Sequence, residues 1–103
     1  MIAIYPSGQK AASAQIIAEK FYYVGAILLT TDATAYILQI HNCSAAGTPS
    51  AANMVAELSV PGVANSYAVD SPKGCIECKD GIRCVLSTGT TGRYHVRGSA
   101  LPF

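Results

Sequence analysis

Charge is scarce in this sequence of 103 residues: only 13% are Asp, Glu, Lys or Arg, about half the usual ~25%. Half of the residues are hydrophobic, which excludes a largely disordered chain. A small domain has a large surface for its volume, so this surface must be mostly neutral. A neutral surface is suited to contact with other protein, although a soluble β-protein with a Ser/Thr-rich surface is the alternative interpretation.

The sequence also lacks a basic cluster and a long apolar run. Seven basic and six acidic residues give a net charge of +1, and Arg93 and Arg97 around Tyr94 and His95 do not form the basic stripe that binding to nucleic-acid phosphates requires. The longest apolar run, 21–29, is far below the ~18 residues of a membrane-spanning helix. We therefore expect neither nucleic acid nor membrane as a partner.

The first six residues lack the charged start and apolar run of a signal peptide. We therefore expect synthesis in a cytoplasm, where thiols stay reduced and structural disulfides are disfavoured. Cysteine is among the most buried residue types. The four cysteines are accordingly expected to be buried or half-buried free thiols: Cys43, Cys75, Cys78 and Cys84.

Alternating and β-branched segments predict a chain of short strands. The run 21–29 is aromatic and aliphatic with Gly25 inside, which indicates a strand with a bulge or a close approach at the glycine. Segments 34–42 and 54–60 alternate with period two, and 67–69 is a candidate short strand. The composition of 43–53 is that of a loop. Residues 1–15 are predicted to be an extended arm, with a short helix over 11–20 as the alternative, and 98–103 form an apolar tail.

Two chain reversals between residues 74 and 96 predict two successive β-hairpins. Asp80-Gly81 accommodates the positive φ of a two-residue type I′ turn, and the Gly- and Thr-rich stretch 88–92 predicts the second reversal. Six to eight strands separated by turn residues are typical of an antiparallel sandwich or a small barrel. We predict a single domain over 1–103: an all-β, antiparallel, jelly-roll-like β-sandwich with an N-terminal arm and a short C-terminal tail.

The hairpin register decides the interpretation of the Cys-x-x-Cys pattern at Cys75 and Cys78, which otherwise suggests zinc. Pairing across the Asp80-Gly81 turn places Cys75 and Cys84 on one face of the sheet and Cys78 on the other. Thiolates on opposite faces cannot share a metal ion unless Gly74 opens a turn. We therefore expect no metal site and no cofactor, and oxidation of Cys75 with Cys84 would be strained.

Catalytic residues do not form a recognisable set. Cys84 and His95 are a conceivable nucleophile pair, but no Asp or Asn is placed to orient the histidine. Asp32 and Asp80 are explained by turns, and His41 and His95 are predicted to be surface residues. We expect no enzyme activity and no small-molecule substrate.

The order of elements resembles that of small virion proteins from tailed bacteriophages. The similarity covers residues 21–97, which follow an N-terminal arm. It consists of a strand pair at 24–30 and 34–42, a loop, a further strand at 55–61 and a glycine-linked closing unit at 74–90. The cysteines depart from that pattern.

The resemblance implies a structural virion protein without catalytic residues. Such proteins are β-sandwiches that act as capsid cement or decoration proteins, so the expected partner is the major capsid protein and the expected location is the virion, assembled in the bacterial host cytoplasm. A homo-oligomer such as a trimer at a local three-fold axis is expected. A tail, neck or baseplate component, or a module that binds the host surface, is the alternative.

The two chain ends carry the candidate interface residues. Apolar side chains there are expected to insert into the surface of a neighbouring subunit: Ile2, Ile4, Tyr5, Leu101 and Phe103. The alternative is that both ends fold onto their own core or fray.

Overall fold

Nine strands form two antiparallel sheets in the computed structural model, which describes residues 4–6, 12–87 and 92–101. The strands are β1 Ile4–Pro6, β2 Ala14–Ile17, β3 Phe21–Leu29, β4 Tyr36–Asn42, β5 Met54–Val60, β6 Tyr67–Asp70, β7 Ile76–Cys78, β8 Ile82–Leu86 and β9 Arg93–Ser99, with a short 3₁₀ turn at Ala51–Asn53. Within these ranges no helix is long and apolar enough to cross a membrane. The predicted all-β antiparallel sandwich is confirmed.

The strand order assigns each strand to one layer of the sandwich. The first sheet has the order β1-β9-β3-β6, with β7 also paired to β3, and the second has the order β2-β8-β4-β5. The predicted segments 21–29 and 54–60 match β3 and β5, and the short strand expected around 67–69 is β6. The irregularity expected near Gly25 is present, because the β3–β9 register shifts between Tyr23 and Gly25.

The core lies between the two sheets and follows the period-two alternation of the strands. Tyr23 and Leu28 from β3 and Tyr36 and Leu38 from β4 are at most 1% exposed. Tyr23 keeps a polar partner at the core boundary, because its hydroxyl donates to Asp70 Oδ2 at 2.5 Å. A buried phenol with a hydrogen-bond partner adds a specific cross-link between β3 and β6 to the apolar packing.

The two predicted hairpins are wrong. β7 pairs with β3 in the first sheet, whereas β8 pairs with β2 and β4 in the second, so the Asp80-Gly81 turn carries the chain from one sheet to the other. β9 then returns to the first sheet, and residues 88–91 of the second predicted turn lie outside the described ranges. A turn signal fixes a local reversal, but it does not decide whether the two flanking strands pair.

Gly81 is suited to this corner by its backbone conformation. Its φ is +117°, its amide donates to the Cys78 carbonyl oxygen at 3.2 Å, and a Cβ there would overlap the Ile17 carbonyl oxygen. Only glycine adopts such a conformation at low cost. A glycine is therefore as suitable at a corner between two sheets as it is in a hairpin turn.

The N-terminal segment is paired with the protein's own sheets wherever it is described. Ile4–Pro6 extends the first sheet beside β9, and Ala14–Ile17 extends the second sheet beside β8. The alternative of a helix over 11–20 is therefore wrong for 14–17. In the C-terminal segment, Ser99 is buried and its hydroxyl donates to the Leu101 carbonyl oxygen at 2.7 Å.

Candidate docking surface

Most of the cysteines are buried in the sandwich, and the thiols in the core are poor nucleophiles. Cys43, Cys78 and Cys84 are buried and Cys75 is half-buried, all as free thiols, which confirms the expected burial. The predicted opposition of Cys78 and Cys84 is wrong: with the sheets rearranged at the corner, both side chains enter the core from different sheets. Burial raises the pKa of Cys78 to about 11 and that of Cys84 to about 12, so neither is a thiolate nucleophile near neutral pH.

The candidate nucleophile pair is not brought together. Cys84 faces the core from β8, whereas His95 lies opposite Ile27 on the outer side of the first sheet. His41 is not the surface residue that the sequence suggested, because only 1% of it is exposed. Asp32 has its expected turn role, accepting a 2.9 Å hydrogen bond from the Thr34 amide. Among the described residues there is no group of three His, Cys, Asp or Glu side chains able to hold a metal ion.

Large apolar side chains are concentrated instead on the outer side of the first sheet. Leu29 of β3 lies directly opposite Tyr67 of β6, and Ile27 lies opposite Val69. Directly opposed residues of antiparallel strands project to the same side of the sheet. The exposed fractions are 38% for Ile27, 37% for Leu29, 68% for Tyr67 and 53% for Val69. We call these four residues the outer apolar face.

Basic groups border the outer apolar face along β9. Opposite Ile27 and Leu29 on that strand stand His95 and Arg93, and Arg97 lies opposite Gly25. A shallow groove of about 420 Å³ runs between the apolar and basic parts and is lined by Ile27, Leu29, Tyr94, His95 and Arg97. Each cross-strand row therefore runs from apolar side chains on β6 and β3 to a basic side chain on β9.

Acidic side chains near this face are engaged elsewhere. Glu77 lies opposite Tyr22 at the far end of β3, where it pairs with Lys20 at 3.3 Å and accepts a hydrogen bond from the Tyr22 hydroxyl. Asp70 accepts the hydroxyl of the buried Tyr23. The two cross-strand rows that contain the outer apolar face hold no carboxylate, and the exposed Arg97 stands beside them on β9, which favours a partner with acidic groups at that border.

The outer side of the second sheet differs in character. Ile37 is 43% exposed there, but its cross-strand neighbour is Ser59, and the next pair along is Gln39 with Glu57, joined by a 3.0 Å hydrogen bond. Met54, 36% exposed, is the other large apolar side chain exposed on this side among the described residues, and its cross-strand partner is His41. Scattered apolar side chains beside polar neighbours are ordinary for a protein surface. The concentration of exposed apolar residues is therefore a property of the first sheet.

The residues predicted from the chain ends lie at another edge of the same sheet. Ile4 and Tyr5 belong to β1 and pair with Ser99 and Gly98 of β9, and Leu101 follows β9 with 55% exposure. Ile2 and Phe103 lie outside the described residues. The structure thus places the described parts of both predicted end segments side by side.

Sequence reasoning missed the outer apolar face, although one signal for it was available. The β3 run FYYVGAILL is apolar at nearly every position, whereas a strand with one solvated face alternates between apolar and polar residues. An uninterrupted run therefore indicates apolar side chains on both faces of the strand, one face towards the core and the other on the outside. No family model matches the chain, and no curated protein matches it.

Proposed function

We propose that this chain is a bacteriophage decoration protein that binds the assembled head and stabilises it by bridging adjacent major capsid subunits. The observation that carries the proposal is the outer apolar face on a sandwich whose composition is poor in charge. Exposed apolar patches of this kind are typical of surfaces that bind other proteins. The resemblance of the element order to small virion proteins supplies the choice of partner.

Binding on a capsid requires little affinity from each contact, because the contact is repeated by symmetry. Burial of the outer apolar face supplies about 25 cal/mol for each Å² of apolar surface removed from water. The exposed Arg97 beside this face then orients the sandwich against acidic groups of the capsid subunit. Contacts with two neighbouring subunits multiply the effective affinity without any further contact type.

The end segments remain a second proposed contact. Leu101 is exposed beside the edge that β1 adds to the first sheet. We propose that this edge reaches the neighbouring capsid subunit, and that copies of the protein associate as a homo-oligomer, such as a trimer, around the symmetry axis they occupy.

A tail, neck or baseplate component, or a module that binds the host surface, is the second candidate. Tyr67 is 68% exposed and gives that candidate its support, because exposed aromatic rings are common in surfaces that bind sugars. The neighbours of Tyr67 on the face are aliphatic, however, which suits a protein partner better than a sugar.

Cosedimentation with purified heads of the phage that encodes this chain tests the proposal. The wild-type protein is expected to saturate heads at a fixed ratio to major capsid subunits. Ile27→Ser on the outer apolar face should weaken binding at least tenfold, whereas Ile37→Ser, of similar exposure on the second sheet, should not. Absence of binding to heads together with binding to isolated tails or to a glycan array would favour the second candidate instead.

A further inference from the structure

The loop between β4 and β5 is fastened by two neighbouring side chains on the outer side of the second sheet. His41 of β4 and Arg83 of β8 are cross-strand partners. Arg83 Nη1 donates to the carbonyl oxygens of Ala45 and Gly47, both at 3.1 Å. His41 is buried beneath the other end of the same loop, where Asn53 meets its ring. An arginine and a histidine thus hold the two ends of one loop.

One ring nitrogen of His41 faces an acceptor whose orientation is fixed. Nδ1 lies 2.7 Å from Asn53 Oδ1. The same Oδ1 accepts the Ser50 amide at 2.9 Å, and Asn53 Nδ2 donates to the Thr48 carbonyl oxygen at 3.1 Å. Reversing the Asn53 amide would place its NH₂ against a backbone donor and its oxygen against a backbone acceptor. Nδ1 must therefore carry a proton.

The other ring nitrogen faces an acceptor as well. Nε2 of His41 lies 3.2 Å from Gln39 Oε1, and the Gln39 Nε2 donates to Glu57 Oε2 at 3.0 Å. A reversed Gln39 amide would set its oxygen against the Glu57 carboxylate, which is repulsive. A neutral imidazole has one donor and one acceptor, whereas the imidazolium has two donors. Both acceptors are satisfied only by the imidazolium.

We propose that His41 works as a proton-controlled latch between β4 and the edge strand β5, and that the latch is closed when both ring nitrogens carry a proton. The Nδ1 proton holds the loop through Asn53. The Nε2 proton holds the Gln39 side chain, which in turn donates to Glu57. Loss of one proton leaves a ring that can hold a single acceptor. The shorter contact to Asn53 is retained, so the neutral ring repels Gln39 Oε1 and releases the Gln39 side chain from its bridge to Glu57.

The charged groups around the ring act in opposite directions. Glu57 on β5 favours the cation through Gln39, while Arg83 on β8 disfavours it by like-charge repulsion. Met54, the β5 residue opposite His41, is neutral, and residues 43–53 contain no Asp, Glu, Lys or Arg. Cys43 is the loop's titratable side chain, and its thiol donates to the Ser44 carbonyl oxygen at 3.3 Å.

Nitrogen-15 NMR of the full chain tests the latch through long-range couplings between the ring protons and the ring nitrogens of His41. At mildly acidic pH both nitrogens should show the pattern of an imidazolium. At alkaline pH Nε2 should lose its proton while Nδ1 keeps its own, and the side-chain amide signals of Gln39 should move in step. His95, half-buried on the other sheet, serves as an internal control for the titration.

Two substitutions at Gln39 give the sharpest readout. At about pH 6, near the range where histidines titrate, Gln39→Leu should lower the imidazolium fraction of His41, because the second acceptor is gone. Gln39→Glu should raise that fraction. The latch is overturned if His41 is a neutral single tautomer at the acidic end while His95 is protonated, or if both substitutions move the fraction in the same direction.

Discussion

Substitution of Gly81 by alanine tests the corner that carries the chain between the sheets. The residue has a φ of +117°. A Cβ built on it would overlap the Ile17 carbonyl oxygen of β2 and would lie 3.0 Å from the Gln15 side-chain nitrogen. Gly74, seven residues earlier, is the matched control. Its φ is not positive and a Cβ there meets nothing within 4 Å.

Two terms set the expected loss of stability for Gly81→Ala. A left-handed backbone costs a residue with a Cβ about 1–2 kcal/mol, and forcing a methyl group against a packed backbone adds about 1–3 kcal/mol. The free energy of unfolding should therefore fall by about 2–5 kcal/mol, a large part of the about 5–15 kcal/mol of a typical domain. Gly74→Ala should be neutral or stabilise by up to about 1 kcal/mol, since it restricts the unfolded chain.

Urea unfolding followed by circular dichroism measures both variants. We expect Gly81→Ala to move the transition midpoint to lower urea at an unchanged m-value, and to lower Tm by about 10–30 °C for a chain of this size. A Gly81→Ala variant within about 0.5 kcal/mol of Gly74→Ala would show instead that the corner accepts a Cβ without strain.

Three further predictions follow from buried polar groups. In the folded protein the half-buried Cys75 should be alkylated well before Cys78 and Cys84; equal rates would contradict the placement of those two thiols in the core. The pKa values of Cys78 and Cys84 are raised by folding, so the unfolded chain loses these protons first. The free energy of unfolding should therefore be unaffected below about pH 9 and fall as pH rises towards the folded pKa values of about 11 and 12. The expected slope is up to about 1.4 kcal/mol per pH unit for each thiol. Alanine at both positions should flatten this dependence, measured by urea unfolding across alkaline pH, and an unchanged slope would count against it. Tyr23→Phe removes the donor of the 2.5 Å hydrogen bond to Asp70 and should cost about 1–3 kcal/mol in urea unfolding; a cost under about 0.5 kcal/mol would show that water replaces it freely.

The strands could be predicted from the sequence because each obeys a local rule. The period-two alternation over 34–42 predicted β4, on which Tyr36, Leu38 and Ile40 are buried, and the apolar run with Gly25 predicted β3 together with its irregular register. These features depend on neighbouring residues in the chain. A strand can therefore be predicted from them without knowing which strands it pairs with.

The pairing of β7 and β8 could not be predicted in the same way. Asp80-Gly81 specifies a reversal, and the sequence offers no local signal that separates a hairpin from a corner between sheets. The wrong pairing also gave wrong side-chain directions. A hairpin register places Cys78 and Cys84 on opposite faces of one sheet, whereas the corner lets both enter one core. His41 was misplaced for a related reason, because a distant loop residue, Asn53, covers it.

The outer apolar face depends on pairing between strands that are far apart in sequence. Ile27 of β3 and Val69 of β6 are 42 positions apart in the chain and directly opposed in the sheet. Sequence reasoning therefore placed the contact residues at the chain ends, where Leu101 is exposed, and overlooked the face that only the fold assembles. The unbroken apolar character of β3 was the single local sign of it.

Electron cryomicroscopy of heads saturated with this protein tests the central proposal most directly. We expect density for the sandwich on the head surface, with the outer apolar face at Ile27, Leu29, Tyr67 and Val69 against the capsid. Acidic capsid groups should lie beside Arg97, and each copy should contact two capsid subunits. Heads without added density, or a sandwich seated on the outer side of its second sheet, would contradict the proposal.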